Sequence, residues 1–158
     1  MGDGMRDITI TSDGCMVLAR RCSSRETVQM GLVEKPEGVL VVCRTEGDTT
    51  LDVYDAPWHI GCACVTAQNL PALIEVLAGP LPSVERTLPA LLTALFADDE
   101  VQFSDLLDIL DAAKVPYAYR AFGPDATAVR LEGDEALMGA LFEWPLAMGC
   151  LLRGRAWA

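Results

Sequence analysis

Residues 55–65 read DAPWHIGCACV and hold the chain's one histidine, His59, and two of its six cysteines, Cys62 and Cys64. Read as a metal or redox centre, the stretch would imply a small site-centred fold. Read as a strand, it implies a sheet with a covered interior. The composition of IGCACV after Pro57 favours the strand, in which successive side chains point to opposite faces. Ile60, Cys62 and Cys64 then share one face, and His59, Gly61, Ala63 and Val65 share the other. The histidine points away from both cysteines, which argues against a local Cys-Cys-His metal site. Cys62 and Cys64 lie side by side with Cα atoms roughly 6.5–7 Å apart. That is at or beyond the reach of an unstrained disulfide. Cysteine packs as a small hydrophobe, so these thiols are read as sheet interior. A zinc set completed by Cys43 or Cys22 from a neighbouring strand, or an activated thiol, is the competing reading.

The segments before this strand have the same character. DITIT (7–11) alternates, Ser12-Asp13-Gly14 turns the chain, and CMVLARR (15–21) follows as a partner strand. ETVQMGLV (26–33) reads as a third strand and KPEG (35–38) as a turn. VLVVC (39–43) is a continuous apolar run of strand length, expected in the middle of the sheet and covered on both faces. Glu46-Gly47-Asp48 turns again, and TLDVYD (50–55) alternates as a further strand. Connections this short favour an antiparallel meander.

Beyond Asn69 the apolar period changes from two to that of a helix. NLPALIEVLAG has Asn69 as cap, Pro71 in the first turn and Gly79 past the end. A second helix lies in 84–97 and starts firmly near Thr87, since Pro89 is tolerated only in a first turn. Ser104 is expected to cap a third helix over 105–114, with Leu106, Ile109, Leu110 and Ala113 on one face. YAYRAF (117–122), GPDA (123–126) and TAVRL (127–131) read as a hairpin. Gly133-Asp134 opens a fourth helix that Pro145 ends, and the apolar tail 148–157 reads as a last strand. The expected architecture is α+β: an N-terminal antiparallel β-meander packed against about four helices, with a C-terminal β-hairpin. Residues 1–158 are taken as one domain, with 79–83 (GPLPS) as the alternative subdomain boundary.

The chain has 158 residues, 51% of them hydrophobic and 22% charged, enough for one domain with a real core. No apolar run reaches the roughly 18 residues of a membrane span. The start, MGDGMRDITITSDG, lacks a secretory pattern, and Arg6 stands where a myristoylation signal has Ser or Thr. A cytoplasmic protein is expected. Arginine outnumbers lysine, which occurs only at Lys35 and Lys114, a bias typical of a GC-rich bacterial source. The net charge of −11 excludes nucleic acid and anionic membrane as partners, because both are held by Lys and Arg.

The sharpest charge feature is ADDEVQFSDLLDILDAAK (97–114). Asp98, Asp99, Glu100, Asp105, Asp108 and Asp111 follow with no basic residue between them. On a helix, Asp105, Asp108 and Asp111 stay opposite the apolar stripe. The plain reading is a solvated face; the functional one is a docking face for a basic protein. Arg20, Arg21 and Arg25 form the one basic cluster, expected to pair at the surface with Glu26. Trp58 is expected to anchor the core. No phosphate-binding glycine motif, no G-x-S-x-G and no H-E-x-x-H occurs, so no catalytic residue, metal ligand or cofactor is assigned. The expectation is a non-enzymatic interaction protein of the bacterial cytosol that binds a basic partner through Asp98–Asp111. The alternative is a small enzyme or ligand-binding module with a pocket near Asp55, His59 and Cys62. Association of copies through the tail after Cys150, LLRGRAWA, is a third role.

Overall fold

The computed structural model describes residues 9–10, 16–79, 86–122 and 130–132. Its strands are β1 (Thr9–Ile10), β2 (Met16–Cys22), β3 (Glu26–Lys35), β4 (Gly38–Gly47), β5 (Trp58–Thr66), β6 (Ala118–Phe122) and β7 (Arg130–Glu132). They form one antiparallel sheet in chain order, carried by the five strands β2 to β6. Pro36-Glu37 makes the two-residue turn between β3 and β4, whose register runs from Lys35↔Gly38 to Glu26↔Gly47. The helices are α1 (Asp48–Tyr54), α2 (Leu70–Ala78), α3 (Leu88–Phe96) and α4 (Phe103–Ala113). The α+β meander-and-helix arrangement expected from the periodicities is therefore present.

β4 is covered on both faces, as its unbroken apolar run requires. Val39, Val41 and Cys43 point to the helices, Leu40 and Val42 to the other side, and all are buried. On the helix side, Leu18, Met30, Leu32 and Val65 join them in one cluster with Leu73 and Leu77 of α2, Leu91, Leu92 and Phe96 of α3, and Leu106 and Leu110 of α4. Burying each such side chain contributes about 1.5–3 kcal/mol. α2 and α3, on either side of 79–83, fill the same cluster. In β2 the register slips between Val17 and Ala19, a bulge beside Leu18, which is buried in this cluster.

Two local expectations are corrected. TLDVYD is not a strand: Asp48–Tyr54 is helical. The cause is Gly47, at φ 124°, which only glycine adopts readily and which diverts the chain out of β4. A Cβ there would stand 2.6 Å from the Arg25 carbonyl oxygen and 3.0 Å from Glu26 Cα. Asp48 then places a carboxylate in the first turn, and Asp55 closes the helix in the left-handed conformation. The third expected helix starts earlier than Ser104. Gln102 is its cap, in a reciprocal box with Asp105, whose carboxylate accepts the Gln102 N–H at 2.7 Å. The helix expected after Gly133, the GPDA turn of the C-terminal hairpin and the apolar tail lie outside the described residues.

Candidate functional site

The acidic segment is built around an arginine. Arg21, on the helix side of β2, donates its guanidinium N–H groups to the carbonyl oxygens of Val101 (2.7 Å), Phe96 (2.9 Å) and Asp98 (3.0 Å). Its Nε lies 3.8 Å from an Asp99 carboxylate oxygen. The α3–α4 connection thus wraps a cation, and its carboxylates are turned outward. Asp98, Asp99, Glu100, Asp108 and Asp111 are exposed, and Asp105 is half-buried. Asp98 accepts the Glu100 N–H at 2.9 Å, and Asp105 is committed to the cap. The ion pairs among the described residues are Arg21–Asp99, Arg25–Asp52, Arg44–Glu46 and Arg86–Glu75; none engages Glu100, Asp108 or Asp111. The basic cluster is thereby split: Arg21 serves the connection and Arg25 pairs with Asp52 of α1, not Glu26.

Beside this face lies a cleft of about 260 Å³. Val53 and Tyr54 of α1 form one wall; Phe103, Ser104 and Leu107 from the first two turns of α4 form the other. The sheet supplies the floor: Glu26 and Val28 from β3, Cys43 and Thr45 from β4, His59 and Gly61 from β5, and Tyr119 from β6. α1 is thinly covered on its outer side. Leu51, Val53 and Tyr54 are 50%, 66% and 48% exposed. The Tyr54 ring stacks on the His59 imidazole with centroids 3.7 Å apart and planes 4° from parallel. Gly61 lets Tyr119 lie close: a Cβ there would meet the Tyr119 hydroxyl at 2.8 Å.

The cleft is electrically lopsided. Burial lowers the His59 pKa from its usual 6.5, so the ring is neutral at pH 7. Burial, then the Glu26 charge, push the Cys43 thiol up to about 12 against the opposing pull of Arg21. The Tyr54 phenol is raised by burial, with Cys43 and Glu26 adding to the effect. The thiol of Cys43, the phenol of Tyr54 and the imidazole of His59 are uncharged, and Glu26 is the one Asp, Glu, Lys or Arg among the described lining residues. The Thr50 hydroxyl donates to Glu26 at 3.4 Å.

The sequence reading placed Asp55, His59 and Cys62 around one pocket. The structure brings only His59 to the cleft. Cys62 pairs with Val42 and Arg120 across the sheet and faces the opposite side with Ile60 and Cys64, all fully buried. Asp55 is exposed at the end of α1 and does not line the cleft. The thiol that does line it is Cys43, protonated and unsuited to nucleophilic attack. Glu26, Tyr54 and Tyr119 escaped notice because three separate strands and a helix assemble them. The one legible signal was Gly61, a glycine inside an otherwise apolar strand. Trp58 is partly buried and is not part of the helix-side core cluster; the Arg44 guanidinium lies 5.0 Å from its ring centre.

Among the described residues, no group of three or more His, Cys, Asp and Glu side chains is arranged to hold a metal ion. No described helix is long and apolar enough to cross a membrane. Compared with known protein families, curated proteins and solved structures, the chain matches none.

Proposed function

We propose that the protein is a non-enzymatic interaction module of the bacterial cytosol that binds a basic protein partner across α4 and the preceding connection. The observation that carries the reading is the juxtaposition of two surfaces. Exposed carboxylates at Asp98, Asp99, Glu100, Asp108 and Asp111 lie on α4 and the connection before it, the same segment whose Gln102, Phe103, Ser104 and Leu107 line a cleft opposite the exposed Val53 and Tyr54 of α1. Charge steers a basic partner to the face, and burial of Val53 and Tyr54 then holds it. Unpaired carboxylates suit this role, since docking breaks no existing ion pair at Glu100, Asp108 or Asp111. Asp105 contributes charge, but its carboxylate is tied to the Gln102 N–H, so its main work is to start the helix.

That division of labour dictates the test. Partner capture from native cell extract at low salt, with salt elution and mass spectrometry, is followed by a binding titration. Neutralising Asp108 and Asp111 together to Asn spares the cap and leaves the fold intact. The expected result is at least a tenfold weaker association at low salt, carried by the on-rate, with the difference shrinking as salt rises. Equal affinity of the double variant and the parent at low salt would overturn the docking face.

A further inference from the structure

From the geometry of the cleft between α1 and α4 we infer a second function: it is a binding site for a small organic ammonium ion. The inference rests on the cleft alone and not on the acidic face. Among the described residues, four aromatic rings line it. Tyr54 and His59 are stacked face to face, Tyr119 lies against Gly61, and Phe103 stands on the α4 side. Ring faces carry negative quadrupole potential and attract a positive charge within about 6 Å. The acidic residue Glu26 lines the same space, and among the described residues no lysine or arginine does. The imidazole is kept neutral by burial and so does not repel a cation. An anion would meet Glu26 with no described cation lining the cleft to compensate, and a purely apolar guest would desolvate that charge without a counter-charge.

The polar inventory points the same way. The Thr45 hydroxyl oxygen on the floor is buried and has no hydrogen-bond partner among the described residues, so a donor reaching the floor would satisfy it. A volume of about 260 Å³ lies just below the usual range for drug-sized ligands. It fits a head group of choline or short-alkylamine size. The same ammonium chemistry is carried by a free metabolite and by a lysine side chain.

The experiment is calorimetric titration of the full chain with four probes: choline, its uncharged carbon isostere 3,3-dimethylbutan-1-ol, n-butylamine, and Nα-acetyl-lysine methylamide. Saturable binding of an ammonium probe, at least tenfold tighter for choline than for its isostere, is the expected result. Choline or butylamine binding more tightly than the lysine amide assigns a free amine; the reverse order assigns a lysine side chain. Glu26→Gln is expected to weaken the best probe about tenfold. Because Glu26 accepts from Thr50, the second variant is Val53→Lys, at a position 66% exposed on the cleft wall, which adds a competing cation without touching the core. It should weaken binding at least as much. No saturable heat with any ammonium probe, equal affinity for choline and its isostere, or unchanged affinity in Val53→Lys would each overturn the inference.

Discussion

At the scale of the single residue, His59 shows how a side chain's environment sets its charge. Its ring is sandwiched against Tyr54 at 3.7 Å, and burial disfavours its protonated form. In the unfolded chain the imidazole takes a proton near its ordinary value of 6.5; in the folded chain it does so only at lower pH. The unfolded state therefore binds more protons in that window, and stability rises with pH. The contribution is intact above 6.5 and is lost as pH falls through the lowered value. His59→Phe keeps a flat ring on Tyr54 but has no proton to gain. Chemical denaturation at pH of about 8 and about 5 should show the parent losing more stability than the variant; equal losses would mean that the histidine does not report the burial. The sequence made the strand around this histidine readable, including the opposite orientation of Cys62. It could not make Tyr54, Glu26 or Tyr119 its neighbours, because that proximity depends on sheet register, and register is set by pairings far from residue 59.

At the scale of the element, TLDVYD (50–55) is the segment whose letters suit two structures. Alternation of apolar and polar residues over six positions suits a half-buried strand, but a short helix packed at the end of the central strands satisfies the same letters. Here the decision belongs to Gly47, whose positive φ ends β4 before the alternation begins. Longer elements were legible because three turns of helix leave no such ambiguity: α2 and α3 begin and end within a residue or two of where their caps and prolines place them. The α3–α4 connection depends on one side chain. Arg21 satisfies three carbonyls at 2.7–3.0 Å from a side chain only 16% exposed. Arg21→Met preserves the stem and removes the donors, orphaning those oxygens. A loss of about 2–3 kcal/mol is expected from the denaturation midpoint, with the outer acidic segment loosened first in hydrogen exchange. A loss below about 0.5 kcal/mol would mean that water replaces the guanidinium without cost.

At the scale of the whole molecule, the thiols divide the sheet into testable parts. Cys43 lies on the helix side, Cys62 and Cys64 on the other, and Cys22 is exposed. If both faces open together, a thiol reagent labels Cys22 at once and Cys43, Cys62 and Cys64, the buried cysteines among the described residues, at one slow common rate. Peptide mapping that found Cys43 reacting well ahead of Cys62 would instead show the helix layer lifting on its own. The run of carboxylates over 98–111 is legible in the sequence, but not the cleft lined by the start of α4, since that cleft exists only where α1 and α4 face each other. The strand order has a further consequence for how that cleft comes into being. Strands β1 to β5 each pair with the next strand in the chain, and every partner within that set has left the ribosome once residue 66 has. β6 follows only after three helices, from residue 118 onward. At about 5–20 residues per second, the nascent sheet waits several seconds with β5 as an open edge. Tyr119 and the α4 wall reach the cleft last, so the aromatic enclosure closes near the end of synthesis, after the floor beneath it has formed.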